Sequence, residues 1–156
     1  MTQKIIIGSD HAGHELKEKV KEILEENNLS KEHMTLIVDV SPKNIKTDDY
    51  PDFAKQVVKK VLENKDAQGI LICATGIGMS ITANKFKGIR AALCASEKIT
   101  IMSRADNDSN ILVLAGSEKN SGIKYTDKEL KKIVLAFQET KFLGGRHLRR
   151  VKKMEK

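Results

Sequence analysis

Short apolar runs recur along the chain, and each is followed by a stretch whose apolar residues return every three or four positions. Lys4–Gly8, Thr35–Val40, Gly69–Ala74, Ile89–Cys94 and Asn110–Ala115 are the runs. They have the length and the Ile and Val content of strands rather than of buried helices. Glu15–Asn27 reads as a helix with Leu16, Val20, Ile23 and Leu24 on one face, and Pro51–Asn64 as a second, with Ala54, Val57, Val58, Val61 and Leu62. Its proline falls in the first turn, where a missing N–H leaves no helical bond unmade. Gly78–Lys85, Glu97–Ala105 and Thr126–Thr140 are predicted helices, the last capped by Thr126 or Asp127. Ser41–Asp49 is polar and reads as loop, and Gly116–Thr126 as the most flexible loop.

Strands that alternate with helices predict an α/β domain, a parallel sheet covered on both faces as a three-layer sandwich. Gly69-Ile-Leu-Ile-Cys73 lacks polar alternation, which fits a strand buried on both sides. The expectation is a single domain over 1–156 with a five-stranded parallel sheet, ending in a basic helical tail over 143–156. Ligands of such sheets bind beyond the carboxyl ends of the strands. That rule singles out Ser9-Asp10-His11, Ala74–Gly78 and Ala95-Ser96.

A chain of 156 residues with 40% apolar and 31% charged side chains can bury a core without disulfides. Its two cysteines, Cys73 and Cys94, lie in apolar runs and suit a reducing compartment. No apolar run approaches the ~18 residues of a membrane span, and Met1–Gly8 lacks the layout of a signal peptide. A cytoplasmic location is expected. The net charge of +7 raises nucleic acid as a partner. However, the lysines spread over helix faces, tryptophan is absent and aromatics make up 4%, so platforms for stacking bases are poor. The clear basic cluster is C-terminal, Arg146 to Lys153, and a small anionic substrate accounts for it equally well.

Three segments carry candidate chemistry. Cys73-Ala-Thr-Gly-Ile-Gly78 ends a strand in a thiol and opens a helix through a glycine-containing turn. Backbone amides at such a turn can hold a phosphate or a developing oxyanion, and the same position can make a thiol a usable base. A buried structural cysteine before a tight turn fits the same residues. The spacing is neither a Walker loop nor a dinucleotide fingerprint. Asp10 and His11 suit hydroxyl and phosphate binding, although Asp10 fits equally as a helix cap. Arg146 and Arg150 share a helical face that would suit a phosphate, or belong to a solvated tail. His11, His14, His33 and His147 show no zinc-ligand spacing; no metal is expected, and His33 reads as a surface residue.

Taken in order, Gly8-Ser9-Asp10-His11-Ala12-Gly13, Asp49-Tyr50-Pro51, Gly69–Ile81, Ala83-Asn84-Lys85, Gly88–Cys94, Ser103-Arg104, Asn107–Asn110 and Gly144-Gly-Arg-His147 resemble the family of ribose-5-phosphate isomerase B and galactose-6-phosphate isomerase over nearly the whole chain. The resemblance implies a Rossmann-like fold and an aldose–ketose isomerase without metal or organic cofactor. Cys73 matches the catalytic base, which shuttles a proton between C1 and C2 through a cis-enediol. Ala74, Thr75, Gly76, Ile77 and Gly78 match the loop that stabilises the enediolate. Asp10, His11 and Asn107 match substrate contacts, and His11, Arg146 and Arg150 match the phosphate site. Homodimers or homotetramers with shared active sites are implied.

The chain departs from that pattern at three places and in one loop length. Asp106 stands where the family has the His that opens the furanose ring, and an ordinary carboxyl titrates near 3.9 against about 6.5 for imidazole. No arginine follows strand five, where the segment is Ala115-Gly-Ser-Glu-Lys119. Ala74 replaces a glycine, and the 116–126 loop is longer. Ribose 5-phosphate and ribulose 5-phosphate are the expected substrates. A six-carbon sugar phosphate (galactose 6-phosphate or allose 6-phosphate) and a weakly active sugar-phosphate-binding role are the alternatives.

Overall fold

The computed structural model describes residues 3–29 and 34–155. His33 lies outside the described residues. Five parallel strands, β1 (Gln3–Ser9), β2 (Thr35–Asp39), β3 (Ala67–Cys73), β4 (Ala91–Leu93) and β5 (Ile111–Ala115), form one sheet in the order β2-β1-β3-β5-β4. The helices are α1 (His14–Asn28), α2 (Tyr50–Glu63), α3 (Ile77–Ala83), α4 (Glu97–Asn107), α5 (Glu118–Ser121), α6 (Asp127–Glu139) and α7 (Arg146–Met154). A 3-10 turn over His11–Gly13 precedes α1.

Side-chain alternation along the central strands builds two cores. Ile5, Ile7, Ile70, Ile72, Leu112 and Leu114 face one way, under Val20 and Leu24 of α1 and the apolar stripe of α6. Ile6, Leu71, Cys73, Ile111 and Val113 face the other way, under α2 and under Met79 and Ala83 of α3. Chain path and layer agree. The β2→β3 and β3→β4 connections cross the sheet in one direction through α2 and α3. The β1→β2 and β4→β5 connections return through α1 and α4, and α4 packs on α6, where Arg104 lies over Phe137 at 5.6 Å. Right-handed crossovers require this division of helices between faces.

The expected architecture is present, with local corrections. The fourth strand is only Ala91–Leu93, rather than Ile89–Cys94, because it pairs on one side alone, with β5. The 116–126 segment is not featureless loop. It contains α5, capped by Gly122 at φ +72°, and is tied back by Tyr125, whose hydroxyl accepts from Ala115 N at 3.4 Å and lies 3.5 Å from Cys94 O. Thr126 caps α6 through a reciprocal bond pair with Glu129. Among the described residues, no helix is long and apolar enough to cross a membrane.

Candidate active site

The helices after β1 and β3 leave on opposite faces of the sheet, so the carboxyl ends of these neighbouring strands form its topological switch point. Three turns meet there with almost no space between them. Asp10 N donates to Ile72 O at 3.3 Å, Gly116 N to Cys73 O at 2.8 Å and Ser117 N to Ala74 O at 3.0 Å. A β-carbon on Gly13 would sit 2.5 Å from Ile72 O, and one on Gly116 would sit 2.8 Å from both Ala12 O and Gly13 Cα. These glycines let the turns after β1, β3 and β5 touch.

Cys73 is the last residue of β3, buried at 4% exposure in the core that holds Leu71 and Met79. The turn that follows passes through Gly76 at φ +76°. A side chain there would be strained, and would also meet Leu93 Cδ1 at 2.5 Å. Thr75 Oγ1 accepts from Ile77 N at 3.3 Å. Amides in the first turn of a helix lack helical acceptors, and the turn that carries them follows directly on Cys73. Tyr50, at the start of α2, walls the turn: a β-carbon on Gly78 would meet its ring at 2.6 Å.

Asp10 is buried and accepts from Gly13 N at 3.0 Å, so it does cap the turn. Burial pushes its carboxyl above the usual range, partly offset by that bond and by His11. His11 is half-exposed beside it, and Asp48 Oδ1 accepts from both its backbone N (3.1 Å) and its ring Nδ1 (2.8 Å). Sequence reasoning passed over Asp48. Its only local mark is a position beside Asp49-Tyr50-Pro51, and its partner lies 37 residues away. Cys94 contrasts with Cys73: it is enclosed against Ser103, and burial pushes its thiol up, which marks a packing cysteine.

The remaining expected residues gather at the opposite edge of the sheet. Helix α4 runs back from β4, so Asp106 and Asn107 end up beside the start of β5. Helix α6 likewise ends at that edge, where Gln68 Nε2 donates to Phe137 O at 3.2 Å. Helix α7 is held there by Glu155, which accepts from Gly88 N at 2.9 Å and from Arg90 at 2.7 Å. Its His147 is buried with Nε2 at 3.6 Å from Asp106 Oδ1. Arg146 and Arg150 are exposed and, among the described residues, unpaired with any carboxylate. A cleft of about 590 Å³ at this edge is lined by Asn84, Lys87, Arg90, Asn107, Met154 and Glu155. The length of β5, roughly 16 Å at strand rise, separates the two groups. The structure thus brings together Asp10, His11, Cys73, Ala74, Thr75, Gly76, Ile77 and Gly78, and separately Asp106, Asn107, Arg146 and Arg150. Among the described residues no three His, Cys, Asp or Glu side chains converge as metal ligands.

Residues 5–154 match the family model described as Ribose/Galactose Isomerase. A ribose 5-phosphate isomerase from Thermotoga maritima is 42% identical, with a TM-score of 0.86 over 99% of both chains. Ribose-5-phosphate isomerase B from Mycoplasma genitalium, solved with bound ribulose-5-phosphate, is 41% identical, with a TM-score of 0.84 over 99% of this chain and 95% of that one. Ribose-5-phosphate isomerase B of Escherichia coli is 36% identical over 96% of this chain and 92% of its own length. By sequence over almost its whole length and by its five-stranded fold, the chain belongs to the ribose/galactose isomerase family and is a sugar-phosphate aldose–ketose isomerase similar to the B-type ribose-5-phosphate enzymes.

Proposed function

We propose that the chain interconverts ribose 5-phosphate and ribulose 5-phosphate, with Cys73 as the base. The observation that carries this reading is the seating of Cys73 at the end of β3, against a glycine turn and beside Asp10 and His11. The thiolate removes the proton from C2 of the open-chain aldose. The C–H electron pair becomes the C1=C2 bond, and the carbonyl pair moves onto O1, where amides of the 74–78 turn stabilise it. O1 then takes up a proton and the C2 hydroxyl gives one up, so the negative charge passes from O1 to O2. As the carbonyl forms at C2, the C1=C2 electron pair takes the proton back from the Cys73 thiol at C1. The intermediate is a cis-enediol, which lets one base serve both carbons. Thr75 holds the turn through Ile77 N.

Phosphate is held by His11 together with Arg146 and Arg150. The last two are contributed by a second copy of the chain, since α7 sits at the far edge of its own sheet. The reading therefore includes a homodimer, or a homotetramer made of such dimers, in which Asp10, Cys73 and the 74–78 turn of one subunit meet Asp106, Asn107 and α7 of the other. Asp106 takes the ring-opening role, with Nε2 of His147 3.6 Å from its carboxylate.

The test is an assay of both directions with wild type, Cys73→Ala and Asp106→Asn. Cys73→Ala loses about 10²-fold or more. Asp106→Asn slows the reaction of cyclic ribose 5-phosphate, while exchange of the C1 proton of open-chain ribulose 5-phosphate with solvent persists. A wild type inert towards both pentose phosphates but active on galactose 6-phosphate or allose 6-phosphate moves the reading to six-carbon substrates. Inertness towards all four moves it to sugar-phosphate binding.

A further inference from the structure

We propose that Asp48 is the positioning residue for His11, fixing the imidazole so that its Nε2 edge faces the phosphate of the bound sugar. This rests on the assignment of His11 to the phosphate. The Asp48 side chain is 8% exposed and that of His11 43%, so a fixed carboxylate anchors a ring that reaches outward. Asp48 Oδ1 takes both the backbone N–H of His11 and Nδ1 of its ring, at 3.1 and 2.8 Å. A carboxylate is an acceptor, so Nδ1 carries the hydrogen and Nε2 is left for the ligand. The anchor is itself held in place. Asp48 N donates to Ile45 O at 3.3 Å and Asp52 N to Asp49 O at 3.1 Å, while Tyr50 abuts Gly78 of the catalytic turn.

The charged groups acting on the ring are Asp48, from the loop before α2, and Asp10, from its own segment. The Asp48 hydrogen bond lifts the imidazole above its ordinary value; slight burial opposes it, and the charges of Asp10 and Asp48 add to it. A second proton on Nε2 then gives the phosphate a charged donor at a pH where a free histidine is neutral. This chain has particular use for that donor, because Ala115-Gly-Ser-Glu-Lys119 supplies no arginine after β5.

The experiment follows the ring nitrogens of His11 by NMR in isotope-labelled wild type, Asp48→Asn and Asp48→Glu from about pH 5 to 9, alongside calorimetric binding of inorganic phosphate. Steady-state kinetics on ribose 5-phosphate run in parallel. In Asp48→Asn the His11 midpoint falls and the Nδ1–H form loses its dominance. Phosphate affinity weakens by about three- to tenfold near pH 8 and changes little below about pH 6. KM rises in the same window and kcat moves less, while Asp48→Glu recovers part of both shifts. An unchanged circular dichroism spectrum and urea midpoint show that the fold survives. A wild-type His11 midpoint and tautomer in Asp48→Asn, or an affinity loss equal at every pH, overturns the proposal. Absence of isomerase activity in the wild type would sink the functional reading, yet the titration and the phosphate affinity would still decide the role of Asp48.

Discussion

Gly13 shows how much of the site depends on an absent side chain. Its φ of −97° is open to any residue, so conformational freedom is not why it is glycine. The reason is the 2.5 Å that would separate a β-carbon from Ile72 O. That oxygen belongs to the backbone of a central strand, which cannot yield cheaply. Gly13→Ala is therefore expected to cost about 2 kcal/mol, in the range of overpacking, measured by urea unfolding. It also pushes Asp10 and His11 away from Cys73, so KM rises in the fraction that remains folded. A substitution that shifts stability by less than about 0.5 kcal/mol would show that the turn relaxes. The identity of Gly13 is legible in the sequence as a motif, but its cause is not, because Ile72 is remote along the chain.

At the scale of elements, α1 is pinned to the end of β2 by a buried charge. Lys17 is fully buried on α1, and its Nζ donates to Ser41 O and meets Asp39 at 2.9 Å. Ser41 Oγ in turn accepts from Ser9 N at 2.8 Å, so the network reaches the end of the strand that leads into Asp10. Burial alone would raise the Asp39 carboxyl, but bonds from Lys17, Ser41 N and Lys21 outweigh it and hold the group below the usual range. A carboxyl lowered in the folded state gives stability that is full above its unfolded value and drains away as pH falls through the folded one. Asp39→Asn, which leaves Lys17 buried without its anion, should lose about 3 kcal/mol at pH 7. The gap to wild type should close below about pH 4, as chemical denaturation at stepped pH would record. A gap constant from pH 7 to 3 would exclude the ion pair as its source. Strands and amphipathic helices were legible because burial on one or both faces writes a period into neighbouring residues. Lys17 reads as one more solvated helix lysine, because nothing local announces the carboxylate waiting across the layer. Asp48 escaped notice for the same reason.

For the whole molecule, the decisive feature is the division of candidate residues between the two edges of the sheet. Each residue was legible as a type in a motif, but their separation was not, since it follows from the direction in which α4, α6 and α7 run back across the sheet. The proposed assembly makes a quantitative prediction. Cys73→Ala and Arg146→Ala/Arg150→Ala are each inactive, because every site in either lacks one half. Mixed by unfolding and refolding together, they form hybrids in which one site of two is intact. Activity should return to about a quarter of wild type, as statistical pairing in a two-fold dimer requires. Mixtures that stay inactive, with hybrids verified by native mass spectrometry, would mean that each chain builds its site alone.

The two edges also bear on inheritance. In an assembly so built, the fit between Cys73 and a sugar phosphate depends on residues of α7 that its own chain holds a strand's length away. A change in α7 is then judged by selection not through its neighbours in the monomer but through a surface on the far side of an identical molecule. Positions that drift together in descendants of this chain would include pairs that no contact within a single subunit explains.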